Sequence, residues 1–360
     1  MIWSFVLYSL WPLILWVGWF SSDDIYYQSG VLEAKHFVGM DRRFTIYDDE
    51  GLPVHVTGLF DEDGIPFWKR RLKTGVCLTG ECKSIDIAIY WEMDGDYFGL
   101  EVYGEHLTKT DHSDFSTADY EKLEAVLHEE WPNLREYSLH EIVEEPGGEE
   151  VDGVSGATIK EVTDESVADA VYTTYTIWHL AHEGEKEQLS RLTLEILQEE
   201  TMIQRVLSTE SSDHKRFLLR EINAGRLRTT PVLDKWVIGN LTSNEKSTKD
   251  LAFRSLRNVD VNDGSIQDEL TVIYNASSNE DKILLLSHLK NISQLTPDLR
   301  EALVGDLQKE DEWFDLKVLT VLKSTTGHTM ETIDILKRLS KSGNHQIKSI
   351  VNALLNKEDE

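Results

Sequence analysis

The sequence predicts an α+β domain followed by an all-α helical-repeat domain (an α-solenoid), with a hydrophobic segment before both. Runs rich in β-forming residues occur before about residue 183, and helical runs recur at a regular interval after it. The 360 residues are enough for two domains, and the 40% hydrophobic content is typical of a packed core. The predicted parts are residues 1–21, residues 22–183 and residues 184–360.

The N-terminal segment, residues 2–20, reads IWSFVLYSLWPLILWVGWF and contains no charged residue. Its nineteen residues are enough for a membrane-spanning helix. No Lys or Arg precedes Lys35, so the positively charged start of a secretory signal peptide is missing. We therefore expect a membrane anchor, with the rest of the chain on the periplasmic or extracytoplasmic side. A cleaved signal peptide is the alternative.

Three runs in the α+β domain have the composition of strands. They are HVTGLF (55–60), IDIAIYW (85–91) and YFGLEVYG (97–104). Residues 93–96, MDGD, join the last two runs and are typical of a hairpin turn. We expect the alternate residues of IDIAIYW, from Ile85 to Trp91, to lie on one face.

Two helices are predicted in the same domain. The first, FSTADYEKLEAVLHEEW, has a capping box made of Ser116 and Asp119 and an inward apolar stripe. The second begins after a cap at Thr163 or Asp164 and continues without a break to Gly184, which ends it.

Helical segments recur through residues 184–360. The segments KRFLLREI, KDLAFRSL, KILLLSHL, KVLTVLKS and KSIVNALL begin at Lys215, Lys249, Lys282, Lys317 and Lys348. The steps are 34, 33, 35 and 31 residues, and a period near 34 with two helices per unit predicts a stacked solenoid. The landmarks of tetratricopeptide repeats are absent, so the segments resemble degenerate HEAT-type repeats. An irregular helical bundle is the alternative.

The net charge of −29 limits the partners of the chain. A surface this negative repels the phosphate backbone of nucleic acids, so we expect no nucleic-acid partner. The simplest interpretation of the charge is solubility. No P-loop, G-x-G-x-x-G or H-E-x-x-H motif is present, so the sequence does not indicate those catalytic classes.

The two cysteines, Cys77 and Cys82, enclose the residues LTGE. In an exported protein, so close a pair predicts a disulfide. The spacing differs from that of a thioredoxin-type motif, and two ligands alone make a weak zinc site, so we expect no metal. A redox-active pair is the alternative.

Residues 151–160, VDGVSGATIK, place small residues around one threonine, between an acidic loop and a helix. Residues 152–158 resemble the D-G-x-[ST]-G-A-T motif of the FMN-binding domain family. That family includes a subunit of the sodium-translocating NADH:quinone reductase and its counterpart in the Rnf complex. The resemblance covers roughly residues 75–183 and includes the strand–D-G–strand segment before the motif.

The resemblance implies an α+β flavin-binding domain whose cofactor is FMN, attached covalently through its phosphate to Thr158 by a flavin transferase. The other motif residues carried over as cofactor-binding are Asp152, Ser155, Gly156 and Ala157. Physical reasoning agrees, because small side chains let backbone N–H groups approach a phosphate.

Two departures from the family pattern concern the surroundings of the motif. The usual T-P-G after the second strand is replaced by LTKTDH, with Thr108, Lys109 and Thr110 in its place, and Ile159 and Lys160 follow the motif threonine. The aromatic and histidine residues of the next helix, residues 172–182, are either core or flavin contacts.

The function expected from these features is that of an exported, membrane-associated flavoprotein that acts in electron transfer. In this hypothesis the helical repeats dock a redox or protein partner. A non-enzymatic interaction scaffold with a degenerate flavin domain is the alternative. In a third possibility, a flavin-linked reductase, Cys77 and Cys82 accept the electrons.

Overall fold

The computed structural model describes most of the chain after residue 23. The described residues are 24–48, 51–76, 83–130, 132–138, 141–142, 162–209, 211–290, 292–307, 312–323, 325 and 329–358. Two compact units are present. The sheet unit comprises residues 1–62 and 67–186, and the helical unit comprises residues 63–66 and 187–360.

A six-stranded sheet organises the sheet unit, with strand order β1-β6-β5-β4-β3-β2. The pairs β1–β6, β2–β3, β4–β5 and β5–β6 are antiparallel. The strands are β1 (Ile25–Gln28), β2 (Val38–Tyr47), β3 (Pro53–Phe60), β4 (Pro66–Thr74), β5 (Ile85–Trp91) and β6 (Tyr97–Tyr103). A short helix, α1 (Gly30–Glu33), follows β1.

The predicted hairpin is confirmed as β5 and β6. Gly95 in its turn has a φ of +87°, and a Cβ there would lie 2.5 Å from the carbonyl oxygen of Lys186. Only glycine meets both conditions. The alternate residues Ile85, Ile87, Ile89 and Trp91 are all buried as expected, and so are Ala88 and Tyr90 on the other face.

The strand β4 was not predicted, because Lys69, Arg70 and Arg71 interrupt its alternation. Each of these cations has a carboxylate partner from another part of the sheet unit. Lys69 pairs with Glu101, Arg70 with Glu185 and Arg71 with Asp86. Three consecutive charges therefore fit a central strand because tertiary ion pairs compensate them.

Two helices of the sheet unit are α2 (Thr117–Leu127) and α3 (Val171–His182). The predicted capping box of α2 is confirmed, since the Ser116 and Asp119 side chains each accept from the other's backbone N–H. The indole Nε1 of Trp91 on β5 donates to the Ala181 carbonyl at 2.7 Å. The indole Nε1 of Trp178 on α3 donates to the Glu129 carbonyl at 2.9 Å. These two bonds fix α3 against the sheet and the end of α2.

The prediction of one unbroken helix from Thr163 or Asp164 to Gly184 is wrong. Residues 162–165 form a helical turn, residues 166–170 are not helical, and α3 begins at Val171. Within this non-helical stretch Asp169 has a φ of 59°, which lies outside the right-handed helical range. The predicted stop at the other end is confirmed, since α3 ends at His182 and Gly184 has a φ of 78°.

The helical unit follows as a series of helices. They are α4 (Lys186–Ile196), α5 (Glu200–Ser208), α6 (Ser212–Asn223), α7 (Pro231–Gly239), α8 (Lys246–Ser255), α9 (Gly264–Ala276), α10 (Asn279–Leu289), α11 (Pro297–Asp306), α12 (Glu312–Lys323), α13 (Met330–Leu339) and α14 (His345–Glu358). The helix α6 packs against α8, α10 against α12, and α12 against α14. The helix α7 packs against α9, and α9 against α11. Alternate helices therefore stack in two layers.

The repeat has a period of 33 residues. The helices α7, α9, α11 and α13 begin at residues 231, 264, 297 and 330, which are 33 apart. Lys215, Lys249, Lys282 and Lys348 each occupy the fourth position of α6, α8, α10 and α14. The predicted start at Lys317 lies two residues late, because the fourth position of α12 is Asp315. This offset explains the uneven predicted steps.

One buried position and one helix cap recur in each repeat. The seventh residues of α6, α8, α10, α12 and α14 are all at most 1% exposed, and they are Leu218, Ala252, Leu285, Val318 and Val351. The N-caps of α7, α9, α11 and α13 accept a bond from a backbone N–H in the first turn, and they are Thr230, Asp263, Thr296 and Thr329. A buried side chain and an N-cap therefore recur together and define the boundaries of each repeat.

We expect Thr296→Ala to destabilise α11 locally by about 1 kcal/mol, because its hydroxyl caps the Leu299 N–H. Hydrogen exchange of the α11 amides in the full chain measures this. The matched control is Thr320→Ala, where an exposed hydroxyl only donates back to the Leu316 carbonyl within α12. Equal protection of α11 in both variants would contradict the assigned role of the cap.

Candidate functional site

The loop after β6 is bonded to the segment that follows the flavin-type motif. The backbone N–H and the hydroxyl of Thr110 both donate to the Asp169 carbonyl, at 2.7 and 2.8 Å. The hydroxyl of Thr173 donates to the Thr108 carbonyl at 3.3 Å. These bonds bring together two stretches of sequence that are about 60 residues apart.

Both sides of this contact hold a non-glycine residue with a left-handed backbone. His112 in the loop has a φ of 65°, and Asp169 in the segment has a φ of 59°. Such residues are uncommon and concentrate at sites where the surrounding structure imposes the conformation. Here Asp169 is held by both bonds from Thr110.

The remaining contacts of the loop after β6 attach this loop to α2. Lys109 pairs with Asp119 at 2.9 Å, and the Leu107 N–H donates to the Tyr120 hydroxyl at 3.1 Å. Burial raises the pKa of Tyr120 to about 12, so its phenol stays protonated at neutral pH. Residues 108–110 therefore order the loop through their contacts with the rest of the sheet unit.

A cleft of about 420 Å³ opens beside Thr108. Its wall is formed by Tyr26, Lys73, residues 83–86 and residues 103–108, all from the sheet unit. The volume lies within the range of about 300–1,000 Å³ that is usual for small-molecule sites. The cleft therefore has room for one small organic molecule.

Two lysines and two carboxylates contribute to the wall of the cleft, and they are Lys73, Lys83, Asp86 and Glu105. Asp86 accepts two bonds from the Arg71 guanidinium, at 3.0 and 3.2 Å, and Glu105 pairs with Lys83 at 2.9 Å. Among the residues that the structure describes, no carboxylate lies within ion-pair distance of Lys73. Lys73 is exposed, and its charge adds to the bond and the charge of Lys83 in lowering the pKa of the Glu105 carboxyl.

A buried carboxylate supports the Tyr103 wall of the cleft. Glu101 is 5% exposed and accepts bonds from Lys69 at 2.9 Å, from the Tyr90 hydroxyl at 2.9 Å and from the Tyr103 hydroxyl. Burial raises the pKa of the Glu101 carboxyl, but the bonds from Tyr103, Lys69 and Tyr90 outweigh it, and the pKa lies below its usual value. Glu101 is thus an ionised anchor.

A second carboxylate, Glu124 on α2, joins the helix to the sheet. It accepts from the Tyr27 hydroxyl at 3.2 Å, from the Tyr97 hydroxyl at 3.0 Å and from the Ser29 hydroxyl. Burial is the largest cause that raises the pKa of Tyr97, followed by the charge of Glu124. The hydrogen bonds of Glu124 therefore hold α2 against the sheet.

In the described part of the chain, no group of acidic, histidine or cysteine residues could hold a metal ion.

The candidate aromatic residues of α3 divide into two groups. Trp178 is 1% exposed and stacks on His182, whose Nε2 donates to the Leu127 carbonyl at 2.8 Å. Burial lowers the pKa of His182. His179 contacts Glu183 and the Leu134 carbonyl. These three residues attach α3 to its neighbours, whereas Tyr172 is half-buried at the start of the helix.

The predicted site residues lie outside the described part of the chain. They are Asp152, Ser155, Gly156, Ala157 and Thr158 of the motif, and Cys77 and Cys82. Their assignments stay predictions. The nearest described residue after the motif is Val162, which is 2% exposed.

The cleft was not predicted from the sequence, although the sequence contains a signal for it. Residues 1–186 hold 37 Asp and Glu but only 13 Lys and Arg, and five of these 13 lie between Lys69 and Lys83. A cluster of cations in so acidic a region suggests a local function. The net charge of the whole chain, −29, conceals this local cluster.

The described residues define a class of protein in which an antiparallel sheet domain with packed helices is followed by a stack of two-helix repeats. No protein-family model matches the chain, and no curated protein matches it. Among solved structures, it is similar to an engineered protein at 13% identity and a TM-score of 0.31, covering 46% of this chain and 83% of that one. It is also similar to a designed armadillo repeat protein at 13% identity and a TM-score of 0.32, covering 48% of this chain and 95% of that one. At these scores neither similarity bears on function.

Within the described residues, no helix is long and apolar enough to cross a membrane. The hydrophobic run at residues 2–20 lies outside them.

Proposed function

We propose that this protein is a membrane-associated flavoprotein that carries FMN covalently on Thr158 and acts in electron transfer. The observation that carries the proposal is the contact of Thr108 and Thr110 with Thr173 and Asp169. The resemblance covers both the loop after β6 and the segment after the motif. In the described residues they are hydrogen-bonded to each other.

The length of the chain limits where the motif threonine lies relative to this contact. Four residues lead from Thr158 to Val162, so their Cα atoms are at most about 14 Å apart. The helical turn 162–165 is itself attached, since Glu165 accepts from the Asn133 backbone N–H at 2.8 Å and from its side-chain amide at 2.5 Å. A cofactor on Thr158 would therefore be connected to this helical turn by only a few residues of chain.

The described residues near this contact fit a flavin. A flavin ring needs an apolar or aromatic surface and polar groups at its edge. Tyr172 is half-buried beside Thr173, and the hydroxyl-bearing loop around Thr108 borders the cleft. Because Lys109 is held by Asp119, we expect it to position the loop rather than to bind the cofactor.

The flavin would supply reversible one- and two-electron chemistry, and the protein would hold it and direct its partners. Backbone N–H groups at Gly156 and Ala157 and the hydroxyl of Ser155 would stabilise the phosphate. Asp152 would hold the turn or serve the metal of the transferase. We expect the repeats of the helical unit to dock a redox or protein partner, as stacked repeats commonly do.

The test is co-expression of the full chain with a flavin transferase, followed by a denaturing gel. A fluorescent flavin band that migrates with the protein supports the proposal, because only a covalently bound cofactor survives denaturation. An unmodified protein in the same experiment favours the alternative, an interaction scaffold. One observation supports the interaction scaffold, namely the regular 33-residue period of the helices.

We expect residues 22–360 to lie outside the cytoplasm, with residues 2–20 in the membrane. The reasons are that nineteen uncharged residues are long enough to span the bilayer and that no basic residue flanks the segment to keep the following residues inside. A pair of reporters fused after Glu360, one active only in the cytoplasm and one only outside it, measures the topology. Activity of the cytoplasmic reporter alone would show that the chain is not exported.

A further inference from the structure

We propose that the outer edge of β2 is a dimer interface, at which two copies of this chain pair antiparallel about Thr45. The strand β2 is the last strand of the sheet, and β3 is its only neighbour among the described strands. An edge strand presents unpaired N–H and C=O groups that can pair with another chain. The inference does not depend on the flavin, because no residue of the motif belongs to β2.

The second half of β2 is the regular part of this edge. The pairing of β2 with β3 shifts register between Gly39 and Arg43, and it is continuous from Arg43 to Tyr47. A shift of this kind disturbs the strand locally and protects an edge against further pairing. The continuous half reads RFTIY, with one charge and four residues that favour strands. The interface is therefore limited to residues 43–47.

The direction of the backbone groups in this half follows from the turn after it. The Asp48 N–H donates to the Leu52 carbonyl at 3.1 Å, so the backbone of Asp48 faces β3. In an antiparallel ladder, successive residues direct their backbone groups alternately to the neighbouring strand and to the other side. Arg43, Thr45 and Tyr47 therefore direct their N–H and C=O groups to the free edge.

This alternation selects one register for a pair of β2 strands. Residues 43, 45 and 47 of one copy must lie opposite the same three residues of the other, because these carry the free backbone groups. A pair centred on Thr45 uses all three in both copies and forms about six backbone hydrogen bonds. A shift of the centre to Phe44 or Ile46 leaves one of the three without a partner within the regular half. A centre at Arg43 places two arginines opposite each other, which is unfavourable.

The side chains also match in the register centred on Thr45. Phe44 and Ile46 are 3% and 2% exposed on the inner face, and each lies opposite the other residue in the second copy, so the apolar face continues across the interface. On the outer face Thr45 meets its own copy, which is a favourable cross-strand pair. Just outside the regular half, Arg42 falls opposite Asp48 of the second copy. A two-fold axis repeats this contact of opposite charges, so the edge is self-complementary.

Sedimentation equilibrium of the full chain in a mild detergent measures the dimer. We expect the chain to dimerise and Thr45→Lys to weaken the dimer at least about tenfold, because two lysines then face each other at the two-fold axis. The matched control is Thr320→Lys, which adds the same charge at an exposed position of α12 and should leave the dimer unchanged. Equal effects of the two substitutions would overturn the proposal.

The same measurement on the unsubstituted chain decides between the possible occupants of the edge. A dimer with a micromolar dissociation constant would form completely enough to be detected at about 100 µM. A chain that is still monomeric at that concentration overturns the proposal and leaves the edge to an extended segment of a different protein.

An exchange of charges tests the register. Arg42→Asp and Asp48→Arg each place like charges opposite each other in a homodimer, so each variant alone should dimerise less than the unsubstituted chain. In an equimolar mixture, both contacts of the heterodimer join an acidic residue to a basic one, so the mixture should recover the dimer. No recovery between two folded variants would overturn the register centred on Thr45. Asp48→Arg loses the bond from the Leu52 N–H, and if it fails to fold, Thr45→Lys and its control decide the proposal.

Discussion

Thr158→Val is expected to abolish covalent flavin on this protein while leaving the fold intact. The substitution removes the oxygen that forms the phosphoester but keeps β-branching and nearly the same volume. The cost in folding free energy should be about 1 kcal/mol or less. The mass of the purified protein and its in-gel fluorescence, after co-expression with the transferase, measure the effect.

Two neighbouring substitutions serve as graded controls. Ser155→Ala should weaken flavin loading without eliminating it, because it removes only one supporting donor. Gly156→Val should impair loading more, since its side chain obstructs the approach of phosphate to the backbone. Flavin mass retained on the Thr158→Val protein would show that attachment occurs at another residue.

Glu101→Ala is expected to destabilise the sheet unit by about 3 kcal/mol. Removal of one member of a buried, hydrogen-bonded ion pair leaves the other charge uncompensated, which typically costs about 3–5 kcal/mol. We place the effect at the low end because the Lys69 side chain keeps 24% of its exposure and can still be hydrated. Hydrogen exchange of β5 and β6 amides in the full chain reports the loss.

Glu105→Ala is the matched control for this prediction. Glu105 is also an acidic residue paired with a lysine, but its side chain is 63% exposed. Exposed pairs contribute little, so we expect no measurable loss of hydrogen-exchange protection. Similar losses in both variants would contradict the importance of burial at Glu101.

The pKa of Glu101 predicts how its contribution depends on pH. Its folded-state pKa lies below the value in the unfolded chain, so folding favours the ionised form. The contribution is therefore fully present above the unfolded pKa of about 4.3 and is lost as the pH falls through the folded pKa. In Glu101→Gln this part of the acid sensitivity should be absent. Unchanged acid unfolding in that variant would contradict the assignment.

The cleft and the flavin-type motif differ in how visible they are in the sequence. The motif is a short contiguous pattern, so a single stretch of residues was enough to predict it. The cleft is formed by Tyr26, Lys73, residues 83–86 and residues 103–108, which become neighbours only through strand pairing. Only the folded arrangement defines which carboxylates pair with which cations around the cleft.

The sequence by itself determined the elements whose signals are local. The β5–β6 hairpin followed from the turn at residues 93–96, α2 from its capping box, and the two-helix repeats from their period. A turn, a cap and a helical period depend on residues only a few positions apart, so neighbouring residues specify them.

Tertiary structure alone decided the features that depend on distant partners. The strand β4 tolerates Lys69 because Glu101, 32 residues away, compensates it. The helix predicted through Asp169 ends at residue 165 instead, and in the non-helical stretch after it the Asp169 carbonyl accepts two bonds from Thr110, 59 residues away. Local propensity favours a continuous helix by only a few tenths of a kcal/mol per residue. Hydrogen bonds from a distant loop, of about 1 kcal/mol each, are enough to override it.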